Sequence, residues 1–105
     1  MNKYRNKKVL IDGRVFDSQK EGDVYRKLVM MKKSGNILDF SCQVEMPFVY
    51  NGKKMFRYIA DFEVIWSRNK TEIWDVKSAI TKKNPVYRLK KKLIEEQYKI
   101  KIIEL

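Results

Sequence analysis

No histidine occurs anywhere in the 105 residues, and Cys42 is the one cysteine. The first absence excludes Ser–His and Cys–His catalysis and histidine-ligated metals. The second rules out an internal disulfide, argues against structural zinc and is compatible with a reducing compartment. No apolar run approaches the roughly 20 residues that span a bilayer. The basic start MNKYRNKK is not followed by an apolar signal core, so a cytoplasmic location is expected. Zinc-finger spacings, glycine-rich nucleotide loops, internal repeats and low-complexity segments are all missing. Any metal would therefore be held by oxygen ligands, which favours Mg²⁺, Mn²⁺ or Ca²⁺.

What is present in excess is positive charge. Lys and Arg number 24 against 13 acids, a formal charge of +11. In a small domain this imbalance points to a polyanionic partner, with nucleic acid first. An anionic membrane surface is a poorer match, because no basic amphipathic helix with an exposed aromatic face stands out. A merely basic surface is the plain alternative. Hydrophobic residues make up 44%, enough for a packed core, and the length suits a single domain spanning 1–105, with 1–8 as a basic arm (Lys3, Arg5, Lys7, Lys8).

Along the chain, Val9–Ile11 and Val15–Phe16 flank Asp12-Gly13, a type I′ hairpin signal. Ser18 followed by Glu21 is a capping-box pattern, and Ser34-Gly35 a C-terminal stop, so a helix of about four turns is predicted between them. From Ile37 to Met46 the apolar residues alternate, with Leu38, Phe40, Cys42, Val44 and Met46 on one face, until Pro47 disturbs the pattern. Asn51-Gly52 turns the chain into a long strand. There Tyr58, Ala60, Phe62, Val64 and Trp66 share one face, and Arg57, Ile59, Asp61, Glu63 and Ile65 the other. A third strand, TEIWDVKSA, follows. Asn84-Pro85 opens a second helix, with Val86, Leu89 and Leu93 spaced for a buried stripe that Tyr87, Ile94 and Tyr98 widen. KIKIIEL reads as a last strand. Trp66 and Trp74 read as core. This order predicts an α+β fold, an α/β/α sandwich with one mixed sheet.

Certain acids do not fit an inert scaffold. Asp61 and Asp75 lie on adjacent strands, about equally far from the connecting turn. Two facing carboxylates repel unless something positive lies between them, and a divalent cation or Lys77 would serve. Glu21 lies on the same helical stripe as Tyr25, Leu28 and Val29. Plainer readings stand beside these. Glu21 can be only a helix cap, Asp61 part of an ion-pair network with Arg57 and Lys77, and Asp75 with Lys77 a solvated face.

Taken in order, "FDSQKEGDVYRKL", "RYIADFEV", "IWDVKS" and "YRLKKKLIEEQY" resemble the PD-(D/E)XK nuclease superfamily. Within it they look like small phage-encoded, Holliday-junction-resolvase-like endonucleases. The resemblance covers roughly Phe16 to Glu104. It implies a restriction-endonuclease-like core of helix, three-stranded antiparallel meander, helix and strand. It matches Glu21 to the first-helix acid, Asp61 to the "PD" aspartate, and Asp75 and Lys77 to the (D/E)XK pair. Ala60 stands where the pattern has proline.

The implied activity is Mg²⁺- or Mn²⁺-dependent hydrolysis of DNA phosphodiesters, on branched or recombination-intermediate DNA, by a phage protein acting in the host cell. Asp61, Asp75 and the main-chain carbonyl of Val76 would hold the metal, and Glu21 would complete the site. Lys77 would orient water or stabilise developing charge. Glu63 is a possible further ligand, though a solvated strand residue is the plainer reading. Lys82, Lys83, Arg88, Lys90, Lys91 and Lys92 would grip DNA, giving affinity and salt dependence rather than sequence readout. A two-fold-symmetric substrate would suit a homodimer. The alternatives are a non-catalytic DNA-binding module on the same fold and an accessory protein that binds a protein partner.

Overall fold

Asx–Gly pairs, Asp12-Gly13 and Asn51-Gly52, turn two of the hairpins. The structure, a computed structural model, describes residues 7–105, which fall into two compact units divided after Asn36. Lys3 and Arg5 of the expected arm lie outside the described residues. In the first unit, β1 (Val9–Ile11) pairs antiparallel with β2 (Arg14–Phe16). Asp12 and Gly13 between them both take positive φ, 53° and 75°, as a type I′ turn requires. Helix α1 (Gln19–Lys33) starts where Ser18 Oγ accepts from the Glu21 amide at 3.1 Å. It ends in a Schellman motif. The Asn36 amide donates to the Met31 carbonyl (2.9 Å), the Gly35 amide donates to Lys32 (3.2 Å), and Gly35 has φ +83°. At Gly22 the helix comes so near β1 that a Cβ would lie 2.9 Å from both Val9 Cγ2 and Ile11 Cδ1.

The second unit is a four-stranded mixed sheet in the order β3-β4-β5-β6, from β3 (Asp39–Tyr50), β4 (Lys53–Ser67), β5 (Lys70–Asp75) and β6 (Ile102–Glu104). The first three strands form an antiparallel meander, and β6 joins β5 in parallel. Between β5 and β6 lie α2 (Ala79–Lys82), a single turn capped by Ser78 that was not anticipated, and α3 (Pro85–Tyr98). Asn84 Oδ1 caps α3 by accepting from the amides of Val86 and Tyr87. The expected α+β class, element order and mixed sheet are all present. Pro47 does not end its strand. It lies in β3 at the sheet edge, where a residue without an N–H is tolerated. Its carbonyl accepts instead from Gln97 Nε2 (3.0 Å) and the Tyr98 hydroxyl (2.7 Å) of α3.

The expected strict alternation along β3 and β4 breaks halfway. Tyr58, Ala60 and Ile73 share a core cluster with Met46, Ile94 and Ile102, and Val44 packs against it. Phe62 and Val64 are equally buried yet lie outside that cluster. Ile73 stands opposite Glu63 in the register, so its face at that level is that of the odd-numbered β4 residues. The two faces of β4 therefore exchange between Ala60 and Phe62. On β3 the matching position is Gln43, flanked by the pairs Cys42–Phe62 and Val44–Ala60 and held at φ 54°. A left-handed residue in a strand turns the following side chains over, and nothing in the apolar pattern announces it.

The stripe of α3 also differs from expectation. Val86 and Leu89 are exposed, and the helix buries Ile94 with Tyr87 packed beside it. Lys91 fills the position between them with its aliphatic stem, a use of lysine that apolar counting misses. Trp66 and Trp74 are half-buried rather than core, and both indole N–H groups donate to Glu72 Oε1 (2.7 and 3.1 Å). Among the described residues no helix is long and apolar enough to cross a membrane.

Candidate active site at the end of two strands

Strands β4 and β5 pair as far as Phe62–Trp74, and one further step of that register sets Asp61 opposite Asp75. There the carboxylates take over from the main-chain ladder. The Asp61 amide donates to Asp75 Oδ1 at 3.0 Å, and the Val76 amide donates to Asp61 Oδ2 at 2.8 Å. Each aspartate thus fixes the backbone of the other's strand. The Tyr58 hydroxyl donates to Asp75 Oδ2. Beyond the strand end, the Leu105 amide donates to the Asp75 carbonyl (2.8 Å). Asp75 is completely buried and Asp61 nearly so. Buried carboxylates persist only where donors and cations meet them, and these donors meet that need.

Lys77 pairs with Asp61 rather than Asp75. Its Nζ lies 4.0 Å from Asp61 Oδ2 and 5.8 Å from the centre of the Tyr87 ring. Because β5 ends at Asp75, strand alternation no longer governs where Lys77 points. The Tyr87 ring stacks beside Tyr58, with centroids 6.4 Å apart, and its hydroxyl donates to Glu104 Oε2 at 2.6 Å. Glu104 and Glu95 flank Lys91 Nζ at 3.9 and 3.7 Å, and Glu95 also accepts from the Ile102 amide (2.7 Å). Burial, reinforced by the Asp75 carboxylate, raises the Tyr58 pKa well above that of an ordinary phenol. Burial and the bond to Glu104 raise Tyr87 likewise. Both phenols stay protonated donors at any physiological pH.

Two grooves flank this cluster. One of about 440 Å³ is lined by Tyr58, Lys77 and Tyr87 together with Arg57 and Lys90. The other, of about 530 Å³, is lined by Lys82, Lys83, Arg88, Lys91 and Lys92, with Glu95 and Glu104. Of the residues expected to grip DNA, Lys82, Lys83 and Arg88 share one groove, whereas Lys90 lines the other and lies over the Phe56 ring. Lys91 lines the larger groove but already faces two carboxylates.

Within the second unit, Asp61, Asp75, Val76 and Lys77 come together. Glu21 belongs to the first unit, where it is buried (4% exposed) at the capped start of α1. Glu63 is half-buried on β4. Among the described residues, no group of three or more His, Cys, Asp or Glu side chains could hold a metal ion. Sequence reasoning missed Tyr58, Tyr87 and Glu104. Tyr58 read as an ordinary core position, and its one signal was a hydroxyl on a strand facing an acid-bearing neighbour. No curated protein matches the chain. Residues 1–103, nearly the whole length, match the family described as "Protein of unknown function (DUF1064)", and the chain belongs to that family.

Proposed function

We propose that the chain is a divalent-metal-dependent DNA endonuclease of the PD-(D/E)XK type, with Asp61, Asp75 and Lys77 as its working residues. The observation that carries this reading is the reciprocal bracing of Asp61 and Asp75 at one strand end, with Lys77 Nζ 4.0 Å from Asp61. A surface ion pair needs no such bracing, and a packed core would not place two carboxylates in one register position. The donor set fits Mg²⁺ or Mn²⁺. Such ions are commonly held by one or two carboxylates, with waters and substrate phosphate filling the other positions. Asp61, Asp75 and the Val76 carbonyl would hold the ion. Both Asp75 oxygens already accept hydrogen bonds, but each carboxylate oxygen has a second lone pair. When bound, the metal lowers the pKa of a water and polarises the phosphate. The chain's own part is to fix the acids through Tyr58 and the strand amides, and to keep the Lys77 ammonium where charge develops. By the resemblance alone Glu21 would be the superfamily's additional acid; the α1 cap uses only its amide and the Ser18 hydroxyl. The +11 charge and the Lys82–Lys83–Arg88 groove support a DNA partner. Branched DNA in phage recombination, cut by a homodimer in the host cell, belongs to the same reading.

The test is a cleavage panel of duplex, single-stranded, flap and four-way DNA, with and without Mn²⁺. Wild type cuts at least one form only with metal. Asp61→Asn and Lys77→Ala each lower the rate by about 10² or more. Glu21→Gln keeps the cap, which uses the Glu21 amide, and lowers cleavage. Equal cleavage by wild type and Asp61→Asn would sink the proposal. Salt-sensitive binding with no cleavage of any form would establish a binding module instead.

A further inference from the structure

The smaller groove does not look like a track for duplex backbone. Its lining includes three cations, Arg57, Lys77 and Lys90, and no carboxylate. Arg57 and Lys77 each face a carboxylate outside the lining, Glu45 at 2.6 Å and Asp61 at 4.0 Å, so Lys90 gives the groove its least offset positive charge. The same groove is lined by Ile59, Ile80 and Val86, which are 39%, 64% and 60% exposed. Exposed branched aliphatics gathered beside lysines are an odd surface for phosphate alone, because a duplex presents charge and sugar and hides its base faces. An unpaired nucleotide presents both an anionic phosphate and an apolar base face. At about 440 Å³ the groove lies within the usual size range of small-ligand sites. Lys77 belongs both to this groove and to the Asp61 pair, so a phosphate taken here lies beside the two aspartates.

We infer that this groove binds one unpaired nucleotide of a DNA strand next to the carboxylate pair. Its phosphate meets Lys77 and Lys90, and its base lies on Ile59, Ile80 and Val86. The inference refines the substrate of the proposed nuclease, but its test reads binding and does not depend on cleavage. Deoxyadenosine monophosphate and inorganic phosphate are titrated separately into the full-length protein with labelled isoleucine and valine methyl groups. The nucleotide shifts the Ile59, Ile80 and Val86 methyl signals, and phosphate leaves them in place. Anisotropy in EDTA then compares a single-stranded oligonucleotide with a duplex of the same length. The double variant I80S/V86S, at two exposed positions, weakens single-strand binding about tenfold and duplex binding less than twofold. Equal losses for both DNA forms, no loss for either, or identical methyl shifts from nucleotide and phosphate would overturn the inference. Cleavage that fails while these shifts appear refutes the nuclease reading alone.

Discussion

Tyr58 shows how much one hydroxyl holds at this site. It donates to a completely buried carboxylate whose other oxygen is engaged by the Asp61 amide. Tyr58→Phe keeps the ring but leaves Asp75 Oδ2 without that donor, which costs about 1–3 kcal/mol in urea denaturation. The proposed cleavage should fall as well, because Asp75 loses one of its two fixed points. The phenols also set an alkaline limit. Folding raises the pKa of Tyr58 and Tyr87 above the ordinary 10.0, so the folded chain keeps protons that the unfolded chain releases. Their contribution is complete below about pH 10 and is lost as pH rises further. A plot of stability against pH should bend downward there, and the bend should shrink in Tyr58→Phe. At this scale the sequence displayed Asp61, Asp75 and Lys77 openly, because acids and a lysine on paired strands demand explanation. The phenols stayed hidden because a tyrosine in an apolar alternation has the same letter whether or not its hydroxyl has work to do.

Among the elements, the turns and caps were the most legible. Asp12-Gly13, Asn51-Gly52, Ser18 and Asn84 all do what their local chemistry dictates, since each needs only its neighbours. What depended on distant partners was less readable. The face exchange at Gln43 and Asp61 follows no local rule, and α3 buries a lysine stem where its leucines suggested another side. Gln43 offers a direct check. Glycine accepts φ 54° freely, whereas a β-branched residue resists it. Gln43→Val should therefore be less stable than Gln43→Gly by about 1–2 kcal/mol in chemical denaturation. The reverse order would mean that the strand reaches Asp61 without this twist.

The whole molecule carries far more positive charge than its candidate site uses. Lys82, Lys83 and Arg88 line a groove in the unit that contains the aspartate pair, and in the proposed DNA complex each phosphate they met would release counterions. Replacing all three with alanine should reduce the slope of log affinity against log salt by about 3, with little change in preference among DNA forms. An unchanged slope would place the DNA path elsewhere. The parallel strand β6 has a kinetic meaning as well. The β3–β4–β5 meander forms from hairpins near in sequence, whereas β6 reaches β5 only after all of α2 and α3 have been laid down between them. Such long-range parallel pairing is intrinsically slow, so it is expected after the hairpins. The end of β5, where Leu105 bonds the Asp75 carbonyl and Glu104 anchors Tyr87, is completed by that last event. A half-folded chain would already have its hairpins yet lack the finished strand-end cluster, so the proposed hydrolytic activity and completed folding would arrive together.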